Sequence, residues 1–162
     1  SLWFTHGAVN GIDFWSDGKG RIVHDKFLEV SSGPQVGVIK SENKWVAPDG
    51  KVVLTDTRTH RFRSDPEGTL MDWEITLHAS NGQVTFGDTK EGSMAIRLAP
   101  TMQFATGKAM KALGKKAAGH IINSEGVRDD DTWGKRAKWC DYFGPVEDKL
   151  VGMAIFDAPP LR

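Results

Sequence analysis

Residues 71–79 alternate without a break: Met71, Trp73, Ile75, Leu77 and Ala79 are apolar, and the intervening Asp72, Glu74, Thr76 and His78 are polar. A period of two sends successive side chains to opposite faces of a strand but scatters them around a helix, so this stretch reads as a half-buried β-strand. Just upstream, residues 51–63 are rich in β-branched side chains and run into Ser64-Asp65-Pro66-Glu67-Gly68, a turn sequence. Together they predict a hairpin. Pro48-Asp49-Gly50 joins this long strand to another over 36–46, and Ser80-Asn81-Gly82 predicts a tight hairpin turn into a strand at Val84-Thr85-Phe86. Further strands are expected over 21–30, 93–99, 138–142 and 151–156, with the spacing of a sandwich or barrel. The expected fold is all-β, an antiparallel β-sandwich. Only the Lys/Ala-rich run near 107–118 departs from the pattern, and it reads as a surface insertion.

A chain of 162 residues fits one domain, 1–162, with a single core. Its 21 basic and 21 acidic residues cancel, so no long-range field favours nucleic acid or an anionic membrane as partner. No stretch approaches the ~20 apolar residues that span a bilayer. The lone Cys140 excludes an internal disulfide framework and leaves the compartment open between cytoplasm and periplasm. Both ends break off abruptly around strand-like residues, which reads as a fragment of a longer protein. Oligomeric state and cofactor are unspecified by the sequence.

Four motifs run in order along the chain: residues 3–15 (WFTHGAVNGIDFW), 86–94 (FGDTKEGSM), 119–126 (GHIINSEG) and 133–142 (WGKRAKWCDY). Their joint occurrence resembles a bacterial domain of unknown function labelled "methane oxygenase PmoA-like". Members of that family carry a His-rich segment before the position of Trp3 and a Trp- and His-containing segment after that of Phe156. The subunit behind the label is a membrane protein, and no spanning segment is present here. The resemblance implies instead a β-sandwich similar to the galactose mutarotase superfamily, in proteins that accompany sugar-processing enzymes.

The titratable residues gather beside glycines in these motifs. His6 and His24 could move a proton at a sugar oxygen or bind a metal, since imidazole titrates near neutrality, and His120, at the start of an expected buried strand, is a third acid–base candidate. Asp88, Lys90 and Glu91 crowd a segment bounded by Gly87 and Gly92, with Glu91 as general base or a salt-bridged turn as the alternative. Asn123 and Glu125 supply an amide and a carboxylate of the kind sugar hydroxyls require. Trp133 offers an indole face for a sugar ring, with Lys135 and Arg136 as neighbouring cations. Asn10 and Asp13, in the first motif, complete the substrate-binding set. His60 and His78 read as solvent-facing. The three aspartates 129–131 lack the spacing of a calcium loop. Neither a Gly-X-Ser-X-Gly elbow nor a nucleotide-binding glycine loop occurs. The expectation is acid–base chemistry on a sugar or keto-sugar by His6, Glu91 and His120. A non-catalytic glycan-binding module is the first alternative. A metal-dependent oxygenase or hydrolase using His6, His24 and Glu91 is the second.

Overall fold

The computed structural model describes residues 1–17, 19–104 and 117–157. Apart from Ala117 and Ala118, the expected insertion near 107–118 lies outside them. The described residues are all-β and fall into two compact units, residues 2–95 and Ser1 with 96–162. No helix among them is long and apolar enough to cross a membrane.

The first unit holds β1 (Leu2–His6), β2 (Arg21–Ser32), β3 (Gly37–Val46), β4 (Val52–Asp65), β5 (Gly68–His78) and all but the last residue of β6 (Gly92–Ile96). Strands β2 to β5 form one antiparallel sheet in sequence order, and β1 pairs with β6. The punctuation read from the sequence closes two of its turns. Residues 47–51, around Pro48-Asp49-Gly50, join β3 to β4, and Pro66-Glu67 joins β4 to β5, where Asp65 pairs with Gly68 and its carboxylate accepts the Glu67 amide at 3.0 Å.

Opposed residues in an antiparallel pair share a face, and the register therefore sorts this sheet into two surfaces. One carries Lys26, Glu42, Arg61, Glu74, Arg63 and Asp72, joined as the ion pairs Lys26–Glu42, Arg61–Glu74 and Arg63–Asp72. The other carries Ile22, Phe27 and Val30 of β2, Ile39 and Trp45 of β3, Leu54 and Phe62 of β4, and Met71, Trp73, Ile75 and Leu77 of β5. At one end of that apolar face Val9, Phe14, Trp45 and Leu54 form a buried core. Phe4 of β1 lies 6.2 Å from the Trp45 ring and 6.3 Å from Trp73, both edge-on, which lays β1 over this end of the sheet.

Inside this core sits Asp56, fully buried. Its carboxylate accepts hydrogen bonds from Asn43 Nδ2 (2.6 Å), Trp45 Nε1 (2.7 Å), Arg58 Nε (3.0 Å) and Arg58 Nη2 (2.7 Å). Arg58 also donates to the Phe4 carbonyl at 3.2 Å. A buried charge of this kind is tolerable only because every lone pair has a donor.

Two expectations are corrected here. Asn81 and Gly82 do turn the chain, but Val84-Thr85-Phe86 does not return as a strand beside β5. Asn10 captures it instead: the Asn10 side chain accepts the Thr85 amide at 2.8 Å, its own amide donates to the Thr85 carbonyl at 2.9 Å, and Phe86 bridges to Val9. His60 is not turned to solvent among polar groups. It shares the apolar face, stacked 5.3 Å from Trp73 and 6.2 Å from Phe62. Burial, followed by the Arg58 charge, lowers its pKa against an opposing hydrogen bond at the Ile39 backbone.

The second unit is built on β7 (His120–Asn123), β8 (Trp139–Val146) and β9 (Lys149–Phe156), antiparallel and in sequence order. A short 3-10 turn at Pro100–Met102 packs on β8, with Met102 and Ile121 buried. Three backbone segments touch here. A Cβ on Gly119 would collide with the Met102 carbonyl, and one on Gly144 would lie 2.9 Å from Met102 Cα and 3.0 Å from Gly119 Cα.

Candidate functional site

Each unit holds its own share of the sequence-selected residues. In the first, His6 closes β1 and its Nε2 lies 2.9 Å from the Gly87 carbonyl. A carbonyl only accepts, so Nε2 carries the hydrogen and Nδ1 presents a lone pair. That Nδ1 is buried without a partner among the described residues, and the ring meets Phe86 edge-on at 5.3 Å. Glu91 lies alongside: its carbonyl accepts the Gly7 amide at 2.9 Å, its amide donates to Thr89 Oγ1 at 3.2 Å, and its carboxylate pairs with Lys90 at 3.2 Å. Asp88 and Lys90 are exposed. His6 and Glu91 are thereby brought together, by backbone bonds that fasten the 87–91 loop to the end of β1.

Asn10 and Asp13 hold local backbone. Asn10 donates through Nδ2 to the Gln83 carbonyl at 3.1 Å in addition to its bond from Thr85. Asp13 Oδ1 accepts the amides of Trp15 (2.8 Å) and Ser16 (3.1 Å). Bonds from the Ser16 hydroxyl and amide hold the Asp13 carboxyl below the usual range, with the Trp15 amide and Lys19 adding to the effect. His24 stands exposed on β2 with its ring 4.4 Å from Phe27. Among the described residues no three His, Cys, Asp or Glu side chains gather as a metal site requires, the set His6, His24 and Glu91 included.

In the second unit His120 opens β7 with its side chain 57% exposed. Its Nδ1 faces Asp129 Oδ2 at 3.4 Å, and the other oxygen of that carboxylate accepts the Ile121 amide at 3.0 Å. The Ile121 bond, ahead of the His120 contacts, lowers the Asp129 pKa and keeps it ionised near neutrality. An acceptor at Nδ1 places the proton there and leaves the Nε2 lone pair outward; no described group bonds Nε2. His120 also lies 5.6 Å from the Phe143 ring. Asp129 was not singled out from the sequence, where it stood as the first of three equivalent aspartates.

Asn123 is almost fully buried and its Oδ1 accepts the amides of Glu125 (3.0 Å) and Val127 (3.1 Å), closing the turn after β7. Glu125 is exposed and accepts the Ser124 hydroxyl at 2.8 Å. Trp133 follows the 3-10 turn Asp129–Thr132 and is 86% exposed, and Lys135 and Arg136 beside it are exposed as well. Cys140 is half-buried, and burial pushes its thiol up, away from nucleophilic chemistry.

These strands and loops define an all-β protein whose polar side chains cluster at strand ends. The whole chain, residues 1–162, matches the family of unknown function DUF6807, and it belongs to that family. No curated protein and no solved structure matches it.

Proposed function

We propose that this chain is a carbohydrate-active protein in which His120 exchanges a proton with a sugar hydroxyl or keto-sugar oxygen, positioned by Asp129. The observation that supports this is the Asp129 carboxylate, anchored by the Ile121 amide at 3.0 Å and facing His120 Nδ1 at 3.4 Å. An imidazole so held offers Nε2 to take a proton, and the adjacent carboxylate stabilises the imidazolium until the proton is returned. His6 serves this chemistry less well, with one nitrogen bonded to Gly87 and the other buried. Glu91 remains the alternative base, through a carboxylate that Lys90 already pairs. The mutarotase-like sandwich implied by the family resemblance is part of the same reading. An oxygenase activity, which the PmoA label would suggest, has no ligand set in its favour among the described residues.

A sugar panel followed by product analysis tests the proposal. For any sugar converted, His120→Ala reduces turnover about 100-fold or more, the usual share of a general acid–base group, while the melting temperature is unchanged. Asp129→Asn gives a smaller loss and alters the pH profile. Unchanged turnover in His120→Ala removes the role. Binding without conversion favours a glycan-binding module instead, for which the exposed Trp133 is the supporting observation; Trp133→Ala then weakens binding.

A further inference from the structure

A cleft of about 530 Å³ opens in the first unit, with Phe14, Trp15, Asp17, Lys19, Gly20 and Arg21 in its lining. Its floor is firm. Phe14 is buried against Trp45 at 5.0 Å, and Gly20 lies flat on the Phe14 ring, where a Cβ would come within 2.5 Å of Cδ1. The Gly20 amide donates to the Asp13 carbonyl at 2.8 Å, and Asp13 fixes the amides of Trp15 and Ser16. Trp15 is backed by Trp3, ring centres 6.1 Å apart. Trp15, Ala47 and Pro48 add apolar side chains to the lining.

The rim is charged. Arg21 and Lys19 are exposed, and among the described residues neither belongs to a salt bridge. Asp17 is the carboxylate in the lining, and the Asp13 carboxylate, which Lys19 influences, already accepts two amides. Arg21 is thus a guanidinium with no salt-bridge partner among the described residues, in a cleft that the Trp15 indole also lines. Guanidinium groups grip carboxylates in a two-point fork, and indoles stack on the C–H face of sugar rings.

The geometry points to a binding site for an acidic sugar of the uronate class, its carboxylate on Arg21 and Lys19, its ring against Trp15 and its hydroxyls donating to Asp17. The sugar part rests on the carbohydrate reading above; the anion part does not.

Calorimetric titration with glucuronate and galacturonate oligomers, and with glucose and galactose oligomers as neutral counterparts, tests it. Acidic oligomers bind about tenfold or more tightly than neutral ones, and added salt weakens them. The double variant Lys19→Gln/Arg21→Gln abolishes the preference, and Trp15→Ala weakens every oligomer. Equal affinity for acidic and neutral oligomers, unmoved by the double variant, overturns the anion assignment and leaves a carbohydrate protein standing. Acetate bound as tightly as uronates, with Trp15→Ala silent, overturns the sugar assignment. Absence of binding at millimolar oligomer overturns the site altogether.

Discussion

The two ends of one sheet face are built from the same kinds of residue and are treated in opposite ways. At the β1 end, Trp45 and Leu54 are sealed under Phe4 and Phe14, and a charged carboxylate is enclosed with them. At the far end of the same strands, Phe27 is 62% exposed and Val30 67%, and Ile39, Phe62 and Met71 are exposed too. The hydrophobic period continues along β2 to β5; the cover does not. Apolar patterning is thus necessary for burial but not sufficient, because a sheet face acquires a core only where another layer is laid over it. The polar atoms follow the same division. Asp56 accepts four hydrogen bonds at the covered end, whereas in the middle of the face the buried Trp73 Nε1–H finds no acceptor among the described residues.

The comparison breaks or holds first on a matched pair of variants. Asp56→Ala leaves Arg58, Asn43 and the Trp45 indole without their acceptor and destabilises by about 3–5 kcal/mol, whereas Val30→Thr at the open end changes stability by no more than about 0.5 kcal/mol. Urea denaturation of both decides it, and similar losses from the two would erase the distinction. A smaller effect is expected where the covered end has no spare space. Gly20→Ala pushes a methyl into the Phe14 ring and costs about 1–3 kcal/mol, read as a shift in denaturation midpoint; a neutral result means that Phe14 can slide away from Trp45.

The smallest effect belongs to His60, midway along the face. Its pKa lies below the ordinary 6.5, chiefly through burial, so the unfolded chain takes up this proton at higher pH than the folded one. The stabilisation from a neutral His60 is therefore complete above the unfolded value and declines as pH falls through it towards the folded one. His60→Phe should flatten the slope of stability against pH as pH falls below the ordinary 6.5. An unchanged slope places the titration elsewhere.

Much of this sheet was readable in advance because its signals are local. The alternation from Met71 to Ala79, Pro48-Asp49-Gly50 and the Pro66 turn each act within a few residues and each formed where expected. The strand assigned to Val84-Thr85-Phe86 failed for a non-local reason: its amide partner is the side chain of Asn10, which no nearby pattern announces. His60 was misjudged because Thr59 and Arg61 beside it are polar, while its real neighbours, Phe62 and Trp73, are reached two residues along and across the ladder. The candidate site shows the same limit. His120 was visible as a titratable group beside a glycine, but its pairing with Asp129 depends on the return of the chain after β7 and on the Ile121 amide. Trp15, Lys19 and Arg21 drew no attention, since what unites them is a concavity shared with Ala47 and Pro48.

The contact among Met102, Gly119 and Gly144 has an evolutionary consequence. Two of its three members have no side chain, so a methyl gained at either cannot be offset by trimming the other, and the third presents main-chain atoms that every amino acid shares. Compensatory drift, the ordinary route by which packed positions exchange residues over time, is closed at this crossing. Gly119 and Gly144 should therefore stay glycine together in any descendant that keeps the crossing, and lineages that replace one should also have rerouted the chain near residue 102.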